Sequence, residues 1–285
     1  MTKIPNKFSI IKNNQIAARI LRKMRWNKQI YCPYCGCTND ISKHSRFRNG
    51  LKRYFCNNCM KTFTDITRTI YEKTKVPIWK WVYGIIILLE STGSLSAAEL
   101  SRNIEVSYPT ALKMMRKLRS SLENDRFEGT LKGIVESDEA WISKKKNQQI
   151  LLGVVEREGN LKLFPVLDRS DTSLYFPHRK YVEKGSMVCT DSFSTYQSLN
   201  VRYIHHTVNH SIGEFAWRHI HTNTIEGVWS MLKGILRTIH HGVWKKHLQG
   251  YLDLFYFMYS NRHLSLSEKL KLLLLKSCQP RYCLY

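Results

Sequence analysis

Gly133-Ile-Val-Glu136-Ser-Asp138-Glu139-Ala-Trp141 is an apolar stretch punctuated by acids in a chain that has only 22 of them among 285 residues. Successive side chains of a strand point to opposite faces, so Glu136 and Asp138 share one face and Glu139 takes the other. Two more strand patterns follow, Gln149 to Val155 and Leu161 to Leu167, and the turn signal Glu158-Gly-Asn160 between them predicts a hairpin. A short helix is expected from about Ser173, then the apolar strand Met187-Val-Cys-Thr-Asp191 ending in a carboxylate, then a strand from Arg202 to His206. Asn223-Thr-Ile-Glu226 opens a helix whose apolar stripe is Val228, Trp229, Leu232 and Leu236.

Strand, hairpin, helix, strand, strand, helix is the order of an α/β fold, an RNase H-like mixed sheet flanked by helices. In that sheet the first and fourth strands are neighbours, which would bring Asp138 to Asp191, and the late helix would lay Glu226 beside them. The chemistry that needs such a cluster is divalent metal, because Mg2+ is a hard cation that takes a few protein carboxylates, phosphate oxygens and water. Two ions held roughly 4 Å apart activate an attacking oxygen and stabilise the leaving one in phosphodiester displacement. Acids scattered over a surface do neither.

Charge points to the same partner. Lys and Arg number 45, giving a formal net charge of +23. Residues 1–127 hold 24 basic and 8 acidic side chains, net +16, whereas residues 128–285 hold 21 and 14, net +7. A field of this size favours a polyanion through phosphate neutralisation and counterion release, which makes a small neutral substrate a poor expectation. At 43% hydrophobic residues the chain can bury sizeable cores, so disorder throughout is excluded. Its most apolar run, Trp81 to Leu89, is far shorter than the roughly 20 residues of a membrane span, and Met1 to Asn14 has no secretory apolar core. A soluble intracellular protein without a membrane partner is expected.

Five of eight cysteines crowd into Cys32, Cys35, Cys37, Cys56 and Cys59. Cys32-Pro-Tyr-Cys35 and Cys56-Asn-Asn-Cys59 are two knuckles separated by 20 residues, the pattern of a closed, structural zinc site, with Cys37 as a spare thiol. Between the knuckles lie short strand-like pieces carrying Lys43, Arg46, Arg48, Lys52 and Arg53 beside Phe47 and Tyr54. Beyond them, Pro77 suits the start of a buried helix over Ile78 to Leu89, and Ser96-Ala-Ala-Glu99 reads as a capping box. Ser107-Tyr-Pro109 starts a basic helix with Leu112, Met115 and Leu118 inside and Lys113, Arg116, Lys117 and Arg119 among its other positions, so the pair reads as a helix-turn-helix.

With these motifs in view, the chain resembles the bacterial insertion-sequence DDE transposases that carry an N-terminal zinc ribbon before an RNase H-like catalytic domain. The resemblance rests on CPYCG, on CNNC with Thr62-Phe-Thr64, on GIVESDEAW, CTDSFSTY and HTNTIEGVWSMLKG, and on TIHHGVWKKHLQGY from Thr238 to Tyr251. The 34 residues between Asp191 and Glu226 suit that superfamily, and Lys233 matches its basic position two turns along the helix. The expected organisation is an N-terminal helix and zinc ribbon at 1–70, a helix-turn-helix at 71–127, a catalytic domain at 128–265 and a tail at 266–285 that forms a short packing helix. The resemblance implies Asp138, Asp191 and Glu226 as Mg2+ (or Mn2+) ligands, Lys233 with Ser230 and Arg237 on the DNA backbone, and His221 and Asn223 in support. It also implies a DNA partner, both terminal inverted repeats and target, and a homodimer or larger assembly on paired ends. The compartment would be the nucleoid-bearing cytoplasm, or a nucleus in a eukaryotic host.

Alternatives stay open. Asn223 rivals Glu226 as third member, and Glu136 faces the metals as a supporting residue. His205, His206, His210, His219, His221, His240, His241 and His247 crowd the third carboxylate as DNA-facing or structural groups or as a second zinc site. The loop Ser143-Lys-Lys-Lys146-Asn replaces the family's glycine-rich one, and Leu254 and Met258 stand where the family tends to have a glutamate and an arginine. The functional rivals are a zinc-ribbon DNA-binding regulator with an inactive RNase H-like half, and a nuclease or resolvase of the same fold.

Overall fold

The computed structural model describes residues 12–27, 29–123, 129–142, 148–192, 194–208, 220–239 and 243–279. The loop at 143–147, His210, His219, His240, His241 and Cys283 lie outside them. The chain divides into two compact units, Met1–Asn124 with His263–Tyr285, and Asp125–Arg262.

The first unit opens with helix α1 (Asn14–Trp26), capped by the Asn13 side chain, which accepts the Gln15 N–H at 2.7 Å. Strands β1 (Ile41–Arg46), β2 (Lys52–Cys56) and β3 (Lys61–Thr64) form an antiparallel sheet in that order. Asp65, just past β3 and fully buried, joins helix to sheet. It pairs with Arg22 at 2.8 Å and accepts hydrogen bonds from Trp26 Nε1 at 3.0 Å, Tyr54 Oη at 3.1 Å and the Lys52 N–H at 2.7 Å. A buried charge is tolerated only with such a set of partners.

Helix α2 (Ile78–Glu90) is nearly all apolar and buried. Helices α3 (Ala97–Ile104) and α4 (Tyr108–Ser120) follow, with Glu105 in the left-handed conformation between them, and they pack together as the expected helix-turn-helix. The buried stripe of α4 is Ala111, Met114, Met115 and Leu118, whereas Leu112 is half-buried, so the helix is rotated relative to the sequence expectation. The tail is helical: α8 (Leu266–Cys278) carries a full capping box, Ser265 with Glu268, and packs on α1 and α2. Tyr71 Oη and Ser277 Oγ lie 2.6 Å apart in that core.

The second unit is a five-stranded mixed sheet. Its strands are β4 (Ile134–Ile142), β5 (Gln149–Glu156), β6 (Leu161–Val166), β7 (Met187–Asp191) and β8 (Ile204–Val208), in the order β6-β5-β4-β7-β8. The pairs β4/β5 and β5/β6 are antiparallel, and β4/β7 and β7/β8 are parallel, which is the RNase H-like arrangement. β5 is buried along its whole length because both faces are covered, which explains its continuous apolar run. On one face α6 (Asn223–Gly234), a π-helical turn (Ile235–Ile239) and α7 (Lys245–Ser260) set Ile225, Trp229, Leu232, Leu252 and Phe255 against Ala140, Leu151 and Val155. On the other, α5 (Asp171–Tyr181) and the 3-10 turn Ser194–Val201 set Leu174, Tyr196 and Leu199 against Val135, Leu152 and Val188. α5 starts two residues before the expected Ser173, behind a Ser170 cap, and tolerates Pro177 within it. Leu254 on α7 is buried.

Candidate active site and metal centres

The catalytic candidates depend on how α6 meets β4. Glu136 is fully buried, yet its carboxylate is well satisfied: it accepts the backbone N–H groups of Thr224 at 2.7 Å and Ile225 at 3.1 Å, and the Thr224 hydroxyl at 3.0 Å. Arg157 Nε donates to it at 2.7 Å, and His221 Nδ1 lies 3.1 Å away, an ion pair when that ring is protonated. An anion on the first N–H groups of a helix meets both their unpaired donors and the positive end of the dipole. Glu136 therefore fixes the start of α6 on β4, and its oxygens are spent on that task.

Two residues further along the same face, Asp138 is half-buried and accepts Trp229 Nε1 at 3.0 Å. Burial, and then the charges of Glu139 and Asp191, push its carboxyl up to about 6. Glu136 pairs with Cys189 in the parallel β4/β7 register, so Asp138 and Asp191 come level two residues on, where β7 ends. The sheet thus brings these two carboxylates together. Close approach of α6 is allowed by Gly153, the β5 partner of Asp138: a Cβ there would sit 2.6 Å from both Ile225 Cδ1 and Trp229 Cζ2.

Glu226 stands in the first turn of α6, exposed, with its Oε1 accepting the Thr222 hydroxyl at 2.8 Å. It precedes Trp229, whose indole reaches Asp138, by one turn of the helix. The three carboxylates do not converge tightly. Among the described residues, the group of three or more ligating side chains whose donor atoms all lie within 4.8 Å is the cysteine set. As hard oxygen donors, Asp138 and Asp191 suit Mg2+. Lys233 lies half-buried in the last turn of α6, and Asn223 and Ser230 are exposed on it, with exposed Arg237 in the π-helical turn that follows.

Neighbouring polar groups have structural tasks. Glu139 points to the other face, to Arg169 and Tyr196 Oη. His178 is fully buried and joins α5 to β4: its Nδ1 donates to the Leu174 carbonyl at 2.6 Å, so the bare Nε2 accepts the Ser137 hydroxyl at 2.9 Å. Burial pushes its pKa down to about 4, keeping the ring neutral. His205 Nε2 lies 2.9 Å from Thr190 Oγ1, next to Asp191.

In the first unit Cys32, Cys35, Cys56 and Cys59 converge, with Sγ pairs Cys32/Cys59 and Cys35/Cys56 each 3.6 Å apart. Tetrahedral zinc with bonds of about 2.3 Å places sulfurs about 3.8 Å apart, so the four fit a structural zinc ion. Cys37 is outside the set; a backbone hydrogen bond from it is the main reason the Cys35 thiol is held down at about 6. Of the cationic candidates, Arg46, Arg48, Lys113 and Arg116 are exposed, and Lys52 and Arg53 half-buried. Lys117 donates to the carbonyls of Ile70 at 2.7 Å and Glu72 at 3.3 Å, which ties α4 to the chain before α2. Asp65 is not singled out by the sequence patterns above; the available signal was an acid between Thr64 and Ile66, right after a knuckle strand in so basic a segment.

Residues 130–260 match the family model of the ISXO2-like transposase domain. A protein of Halobacterium salinarum described as an uncharacterized protein in transposable element ISH50 is 27% identical over 266 residues, covering 84% of this chain and 88% of its own. A chain from the simian T-cell lymphotropic virus intasome in complex with PP2A regulatory subunit B56 gamma aligns at a TM-score of 0.28 and 14% identity over 66% of each chain, too slight a likeness to bear on the fold.

Proposed function

This chain is related to the insertion-sequence transposases through the ISXO2-like domain at residues 130–260, and on that premise we propose that it binds the terminal inverted repeats of its element and carries out metal-dependent cleavage and strand transfer there. The observation that carries the reading is the placement of Asp138 and Asp191 level on adjacent parallel strands, beside a helix start held by Glu136. Bound Mg2+ or Mn2+ would supply charge neutralisation and an activated attacking oxygen. Asp138 and Asp191 would hold such ions, with Glu226 closing the set and Asn223 and His221 at its edge. Trp229 orients Asp138 through its indole N–H. Lys233, two turns along α6 from Glu226, would steady the phosphate backbone near the scissile bond.

In the first unit the zinc ribbon would stiffen the hairpins that present Arg46, Arg48, Lys52 and Arg53. The helix-turn-helix would offer Lys113 and Arg116, with Lys117 contributing only its stem and a fixed charge. Work on paired ends would need two or more copies, acting on the host's nucleoid. Asp191→Asn is expected to abolish cleavage of an end-bearing duplex and to leave binding of that duplex within about threefold. Cutting at the wild-type rate by this variant would refute the catalytic assignment, and a wild-type protein that binds without cutting would favour the regulator.

A further inference from the structure

Between α1 and the turn that joins β1 to β2 lies an open cleft of about 310 Å3, lined by Gln15, Arg19, Arg22, Arg46, Arg48 and Gly50 among others. It is a built feature. Arg22, pinned by its ion pair with buried Asp65, also donates to the Gly50 carbonyl at 2.6 Å, so one wall is fixed. Gly50 has φ +85, and a Cβ there would come within 2.8 Å of Gln15 Cα, so the turn seats on the helix only because the residue is glycine. The turn is closed by the bonds Gly50 N to Phe47 O and Phe47 N to Leu51 O, each 2.9 Å.

Asp65 neutralises Arg22, but among the described residues Arg19, Arg46 and Arg48 have no acidic partner within ion-pair distance, and all three are exposed. Three like charges around one opening repel each other until an anion enters. The neighbouring Lys52 feels the same field: burial first, then Arg22, Arg46 and Lys43, hold its pKa below the usual lysine range. Guanidinium forks match phosphate oxygens, and an open trough suits a continuous strand better than an enclosed small molecule.

We propose that this cleft seats a phosphate of the duplex DNA backbone, gripped by Arg19 from α1 and by Arg46 and Arg48 from the ribbon turn. The contact is independent of sequence and makes α1 part of the DNA-binding surface, an assignment that neither the cysteine motif nor the helix-turn-helix suggests. It rests on the DNA-binding part of the proposed function.

Full-length, zinc-loaded protein and short fluorescent duplexes, one bearing the element end and one of random sequence, provide the test in a salt titration. Arg19→Ala and Arg48→Ala should each weaken binding of both duplexes equally, about 3- to 10-fold, and lower the slope of log affinity against log salt by about 1. Lys23→Ala removes the same charge from an exposed site on α1 outside the cleft and should change binding less than twofold. Equal zinc content in all variants reports an intact ribbon. An unchanged slope for Arg19→Ala, or an equal loss for Lys23→Ala, overturns the cleft and leaves the DNA-binding reading standing. A wild-type protein that binds neither duplex overturns both.

Discussion

Glu136 Oε2 on β4 accepts the backbone N–H of Thr224, at the start of α6, across 2.7 Å. That bond, with those from Ile225 and Arg157, makes a buried acid the anchor of the helix that carries Glu226.

Removing the anchor should therefore act on stability before chemistry. Glu136→Ala leaves Arg157 and two helix N–H groups without their acceptor, and is expected to cost about 3 kcal/mol. Glu136→Gln keeps an acceptor and should cost less. Chemical denaturation followed by tryptophan fluorescence checks the order; equal stabilities for wild type and the alanine variant would show that α6 is held by other means.

Gly153→Ala tests the helix-to-sheet approach. The added methyl meets Ile225 and Trp229 at 2.6 Å, both side chains of a packed core, so overpacking of about 1–3 kcal/mol is expected. Displacement of Trp229 should also loosen its bond to Asp138, seen as a changed indole N–H resonance. A variant as stable as wild type with an unshifted indole signal would contradict the close approach.

Asp138 gives a pH signature. Its folded pKa, raised to about 6 from an ordinary value near 3.9, means that its contribution to stability is full below pH ~4 and is lost as pH rises through ~6. Asp138→Asn lacks this loss, so relative to wild type it should gain on the order of 2 kcal/mol between pH 4 and pH 7. Mg2+ should raise the wild-type melting temperature at pH 7, weakly at pH 5, and hardly at all in the variant. Parallel melting curves across that range would mean that the Asp138 carboxyl is not raised by its burial and its acidic neighbours.

Cys56→Ser should lower zinc content below one ion per chain and unfold the ribbon, because binding energy at a four-thiolate site is folding energy. Random-duplex binding should fall with it. Metal-free protein with native dispersion of the ribbon's resonances would argue that Trp26, Tyr54 and Phe63 suffice as its core.

Much was legible because it is local. Period-two patterns marked the strands around Glu136, Asp138 and Asp191, though β8 runs two residues later than expected, Ile204–Val208 in place of Arg202–His206. The knuckle spacing marked the thiolates that converge. What escaped depends on partners distant in sequence. Asp65 looks like any surface acid until Arg22, Trp26 and Tyr54 close on it, and the packing helix expected of the tail acquires its partners, α1 and α2, only in the fold. Leu112 and Met114 are equally apolar, and only the neighbours of α4 decide which is inside.

The sequence by itself determined the order of elements, the zinc knuckles and the placing of Glu136 and Asp138 on one face, since alternation and spacing are properties of a few adjacent residues. It left Glu136 as a supporting residue beside Asp138, and its task as a helix anchor was not legible. That was decided by α6, which Gly153 lets down onto the sheet, so that Glu136 faces the helix's first N–H groups while Asp138 comes level with Asp191 at the end of β7. Two carboxylates of the same type and face thus acquire different tasks, because a buried charge takes its character from the donors and charges that packing brings to it.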